Sequence, residues 1–132
     1  MPKMETGYKK ACGAYAVIFD AKKEKVGVVP SGSGYRLPGG EISRGESELA
    51  CLMRTVGADL EIAGFLGKAA QETGARSMDE GLFYLGKWGQ PRKGSHDLEW
   101  LNLHEAAEKM AGAHHQWAVQ EGISNVQAST WF

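Results

Sequence analysis

The residues whose types and spacing could do chemistry lie in one stretch, Gly39 to Ile62, which reads GGEISRGESELACLMRTVGADLEI. It is entered through Leu37-Pro38-Gly39-Gly40. Pro38 fixes φ and removes a backbone donor, and the two glycines open positive φ, so a strand stops there and the chain turns. Such a turn can bring backbone carbonyls and amides toward a ligand. Gly45 adds a second flexible point. A helix is expected next, capped by Ser43 or Ser47, with Glu46 or Glu48 at the positive end of its dipole. Leu49, Leu52, Met53 and Val56 stand at i, i+3, i+4 and i+7, which predicts one buried face. Thr55, Ala58 and Asp59 share the neighbouring face. Arg54, two turns beyond Glu46, is placed to reach back to it. Gly57 either costs the helix about 1 kcal/mol or ends it early.

This stretch resembles the Nudix box, the signature of the Nudix hydrolase superfamily, Gx5Ex7REUxEExGU with U a bulky aliphatic. Its first Gly falls on Gly40, its first Glu on Glu46, its Arg on Arg54 and its aliphatic positions on Val56 and Ile62. The Leu37-Pro38-Gly39-Gly40 and Gly45-Glu46-Ser47 pieces match as well. The resemblance implies an α/β fold, an α/β/α sandwich with a mixed β-sheet and helices on both faces. It also implies hydrolysis of a nucleoside diphosphate linked to another group, with Mg2+ or Mn2+ bridging the diphosphate and activating a water. In that scheme the Gly39 carbonyl and Asp59 hold the metal, and Glu46 and Arg54 support the loop.

The departures fall on the metal-binding face. Thr55 and Ala58 stand at two of the usual Glu positions, Asp59 at the third, and Glu61 where the family has Gly. Mg2+ is normally held by carboxylates together with phosphate oxygens in near-octahedral geometry. Thr55 is neutral, Ala58 offers no ligand, and Asp59 is a methylene shorter than Glu. Two expectations follow: a hydrolase whose activity is weak or lost, or a catalytically inactive nucleotide-binding or sensing module. A general base would come from Glu72, Asp79 or Glu80.

Further elements must position this stretch. Strands are expected over residues 12–19, 25–29 and 35–37, then 62–70, 81–88 and 98–103. Residues 71–80 and 90–96 read as polar loops. Helices are expected over 104–111 and 113–121, followed by a tail from Gly122, while residues 1–10 read as a flexible arm. The aromatics of GLFYLGKW suit either a base-binding cleft or the core. Arg36 points either toward phosphate or, in the plainer reading, to the surface. His114 and His115 are adjacent and so cannot form an i, i+4 metal pair; they read as packing or surface residues.

The 132 residues suit a single domain over 1–132 with enough apolar content for a core. Fifteen Lys and Arg against 16 Asp and Glu leave a net charge of −1, so no nucleic-acid partner is expected. No apolar run is long enough to span a membrane, and none follows Lys3, Lys9 and Lys10 as a leader would. Cys12 and Cys51 read as reduced core residues, which suits a cytoplasmic protein. The expected partner is a nucleotide-like small molecule. Trp131 and Phe132 offer a homodimer contact.

Overall fold

A computed structural model describes residues 9–57, 60–74, 76–88 and 98–128. The elements run β1 (Lys9–Phe19), β2 (Lys25–Ser31), β3 (Gly34–Arg36), β4 (Gly39–Glu41), α1 (Glu48–Thr55), β5 (Leu60–Gly74), β6 (Ser77–Trp88), β7 (Glu99–Asn102), α2 (Leu103–Glu108) and α3 (Ala113–Ala128). The sheet has the order β3-β2-β1-β6-β5, with β4 antiparallel to β1 and β7 antiparallel to β2. β1 and β6 are parallel from Lys9↔Ser77 to Phe19↔Lys87, and the other pairings are antiparallel.

β1 organises both layers by its two-residue period. Ala14, Ala16 and Ile18 pack with Cys51, Leu52 and Val56 of the α1 side. Val17 and Phe19 pack with Ala106 of α2 and Ala118, Val119 and Val126 of α3. Helices therefore cover both faces of a mixed sheet, the α/β sandwich expected from the sequence. The edge of β1 opposite β6 is shared. Its last residue, Phe19, pairs with Val26 of β2, while Gly13–Tyr15 pair with Gly39–Glu41 of β4. That split sets the glycine turn against the middle of the sheet.

Several sequence expectations are corrected. Residues 71–80 are not a loop: β5 and β6 continue as a long hairpin to Gly74↔Ser77. β6 gains a second, parallel partner in β1, so polar residues complete a ladder there despite their low strand propensity. For the same reason Lys9 and Lys10 belong to a strand and not to an arm. Residues 122–128 are the last two turns of α3, where Ile123 and Val126 pack on the core, and not a tail. Trp131 and Phe132 lie outside the described residues. On α1 only part of the apolar face is covered. Leu52 and Val56 are fully buried, but Leu49 is 52% and Met53 40% exposed. Cys51 takes their place in the core, since this eight-residue helix seats a narrow stripe on the sheet. It ends early, with Val56 as C-cap and Gly57 at φ 130. No described helix is long and apolar enough to cross a membrane.

Candidate ligand-binding site

The loop from Ile42 to Ser47, between β4 and α1, is held from three directions. Ser47 caps α1 by accepting from the Ala50 amide at 3.1 Å; Ser43 does not cap it. Ser43 instead closes the loop, with its amide donating to Glu46 Oε1 (2.9 Å) and its carbonyl accepting from the Glu46 amide (2.9 Å). Arg54 then grips the loop from the helix. Its Nε and Nη2 donate to Glu46 Oε2 and Oε1 at 2.8 and 2.9 Å, and Nη2 also reaches the Glu41 carbonyl at 3.0 Å. The two-point fork holds the Glu46 carboxyl at about 2, first through Arg54 and then through the Ser43 amide. The pair that spacing places two turns apart is thus one bidentate clamp.

The turn that enters this loop sits on β1. Gly39 has φ 142, and a Cβ there would lie 2.2 Å from the Ala14 carbonyl oxygen. The Leu37 amide, at the start of the turn, donates to Nδ1 of His115 at 3.0 Å. His115 is buried on α3, and burial, then His114 and Arg36, push its imidazole down to about 3. It is therefore a neutral acceptor that ties α3 to the turn. Its ring lies 4.5 Å from Tyr15 and 5.3 Å from Phe83.

His114 is buried too, and among the described residues its Nδ1 has no hydrogen-bond partner. His114 is a packing residue, as the sequence suggested, while His115 packs and also accepts a backbone bond. A buried orphan nitrogen contributes little, so His114→Leu should leave stability within about 1 kcal/mol of the parent in urea unfolding.

Arg36 is half-buried and bonded, contrary to a surface reading. Its Nη1 donates to the carbonyls of Leu37 (3.0 Å) and Gly39 (3.2 Å). The Gly39 carbonyl, implied by the resemblance as a metal donor, is therefore turned toward a guanidinium. The box face of α1 offers little more. The Thr55 hydroxyl donates to the Cys51 carbonyl at 2.8 Å, a bond within its own helix, and its methyl group packs against Gly40. Ala58 and Asp59 lie outside the described residues. Among the described residues, no three His, Cys, Asp or Glu gather as a metal site. The described donors do not fit the Mg2+ or Mn2+ of the Nudix scheme.

The three candidate bases do not share one face of the sheet. Glu80 faces the α1 side, paired with Lys10 (3.4 Å) and Lys68 (3.7 Å) and accepting from the Cys12 thiol (3.8 Å). Asp79, its neighbour in β6, faces the other side, where its charge acts on Tyr15 and His114. Glu72 lies across the hairpin, paired with Met78. The β6 aromatics divide likewise. Phe83 is core beneath α3, while Tyr84 packs at a tilt against Phe65, 5.0 Å between ring centroids, and its hydroxyl donates to Glu48 of α1. They do not line one cleft. Tyr15 is the aromatic beside the turn, half-buried, its phenol pushed up by burial first and then by Asp79, while Arg36 acts the other way. Sequence reasoning missed Tyr15 and His115 because their roles come from contacts across the sheet.

No family model and no curated protein matches this sequence. Solved structures do match its fold over nearly their whole length. The dihydroneopterin triphosphate pyrophosphohydrolase of E. coli superposes with a TM-score of 0.71 at 15% identity, covering 89% of this chain and 98% of that one. An Ap4A hydrolase of C. elegans gives 0.68 at 17% identity, over 90% and 98%. A MutT protein of methicillin-resistant Staphylococcus aureus, described as of the Nudix hydrolase family, gives 0.68 at 17% identity, over 89% and 98%. This chain has the fold of the Nudix hydrolases.

Proposed function

We propose that this protein binds a phosphorylated, nucleotide-like small molecule at the Gly39–Gly40 turn, and that hydrolysis of a diphosphate linkage there is weak or lost. The observation that carries this reading is the box helix itself. Thr55 turns its hydroxyl into the helix backbone and position 58 is alanine, while the Glu46–Arg54 clamp and the glycine turn are kept. A loop held in shape with two of its three metal carboxylates missing suits binding better than turnover, because metal-assisted hydrolysis needs the ion held and a water activated. The names of the similar structures, which act on a pterin triphosphate and on Ap4A, support a phosphorylated ligand of this general kind.

The test is a product-release assay with nucleoside triphosphates, ADP-ribose and dinucleoside polyphosphates, in Mg2+ and in Mn2+, beside calorimetric binding of the same compounds. Binding without products is the expected result. Robust turnover that is lost in Asp59→Ala would replace this reading with that of an enzyme, with Asp59 and the Gly39 carbonyl as the metal donors. A complementary prediction concerns the missing carboxylates. Thr55→Glu combined with Ala58→Glu should tighten Mn2+ binding by roughly tenfold or more, since each added carboxylate brings a hard oxygen ligand and a negative charge. Paramagnetic titration with Mn2+ reads this directly, and an unchanged affinity would sink the alignment of the box with this stretch.

A further inference from the structure

We infer that Arg36 takes the place of a divalent cation at the Gly39 carbonyl, and that the turn recognises the diphosphate of its ligand through this guanidinium without metal. The inference rests on the ligand-binding reading above.

A cation-binding carbonyl needs a positive charge in front of it, and Arg36 supplies one. Its Nη1 is fixed by two carbonyls, those of Leu37 and Gly39, at 3.0 and 3.2 Å. Among the described residues, its Nη2 and Nε make no further hydrogen bond, which leaves the other edge of the planar fork with its donors unused. That edge matches two phosphate oxygens in geometry and charge. The side chain is half-buried and anchored at one nitrogen, so little rotamer freedom is lost when an anion docks.

The groups around it hold this arrangement in place. His115 bonds the Leu37 amide, fixing the turn whose carbonyls orient Arg36. The carboxylates of Glu41 and Asp79 act on Tyr15 together with Arg36, so both signs of charge meet there. Arg36 is the cation among them. Glu46 is already held by Arg54, so its carboxylate does not compete for Arg36.

The test is isothermal titration of the protein with inorganic pyrophosphate and with ADP, in excess EDTA and again in Mg2+. Both ligands should bind in EDTA. Arg36→Gln should weaken both by roughly 10- to 100-fold, as expected for loss of a charge-assisted bidentate contact, with the melting temperature showing that the variant is folded. If Arg36→Gln does not fold, Arg36→Lys takes its place: weakening of threefold or more supports the assignment, and unchanged binding overturns it. Binding in EDTA that is unaffected in Arg36→Gln also overturns it. So does binding of ADP with pyrophosphate silent, which would place the affinity in the nucleoside. Binding that requires Mg2+ overturns the inference but leaves the ligand-binding reading standing. Failure of both ligands to bind under either condition overturns the two together.

Discussion

Gly39→Ala should lose about 2–6 kcal/mol of stability, a large share of the roughly 5–15 kcal/mol that keeps a domain folded. Two effects add. The residue holds φ 142, where an L side chain is strained, at about 1–3 kcal/mol. Its Cβ would also lie 2.2 Å from the Ala14 carbonyl oxygen and 2.7 Å from Cα of Tyr15. Those atoms belong to β1, the strand paired on both sides, so neither can retreat without breaking the ladder, and forced overpacking costs about 1–3 kcal/mol more. Gly45→Ala is the matched control. It has φ 78 but nothing within 4 Å of its Cβ, so only the strain remains, about 1 kcal/mol. Urea unfolding of the two variants separates them. Equal losses would show that the close approach of the turn to β1 contributes nothing.

The second large effect is a fall in stability with acid. His115 is neutral in the fold, with a pKa of about 3 against an ordinary value of 6.5. Between those values the unfolded chain binds the extra proton, so stability rises with pH there and is fully present above about 6.5. Linkage over that span predicts a loss of about 2 kcal/mol between pH 7 and pH 5. His114, lowered in the same sense by burial, adds to the slope in the same direction. Glu46 does not contribute in this window. Its carboxyl is held at about 2 against 4.5, so the stability it supplies is lost only as pH falls below 4.5 toward 2.

Stability curves at pH 5 and pH 7 measure the effect, and His115→Leu provides the control. That variant is less stable at pH 7, because the Leu37 amide loses its acceptor, at about 1–3 kcal/mol. It should also lose much of the dependence between pH 5 and 7. A parent protein equally stable at both values would mean that His115 is not held neutral, and with it the tie between α3 and the turn would fall.

Much of this molecule was readable from local pattern. The box spacing and opposite charges put Arg54 within reach of Glu46, and the clamp between them needs nothing more distant, because both lie in one loop-helix unit. Gly57 ended the helix as its propensity predicts. The alternation of β1 and the order of strands and helices implied a sheet covered on both faces, since each strand and helix must bury its apolar side against another layer. The absence of carboxylates at positions 55 and 58 is likewise a property of the sequence.

What the tertiary structure decided depends on neighbours distant in the chain. Residues 71–80 look like a loop by composition, yet 71–74 and 77–80 are strand, because β1, more than sixty residues earlier, offers β6 a parallel edge. Leu49 and Met53 share the helical period of Leu52 and Val56, but only the sheet decides how wide a stripe it covers. His115 became an acceptor for the Leu37 amide through a contact spanning 78 residues, and no local signal marks which of two adjacent histidines would make it. Arg36 is the sharpest case. Its place beside the Gly39 carbonyl arises from a turn pinned between β1 and α3, so the sequence by itself determined the missing metal ligands, and only the fold decided which cation stands in front of that carbonyl.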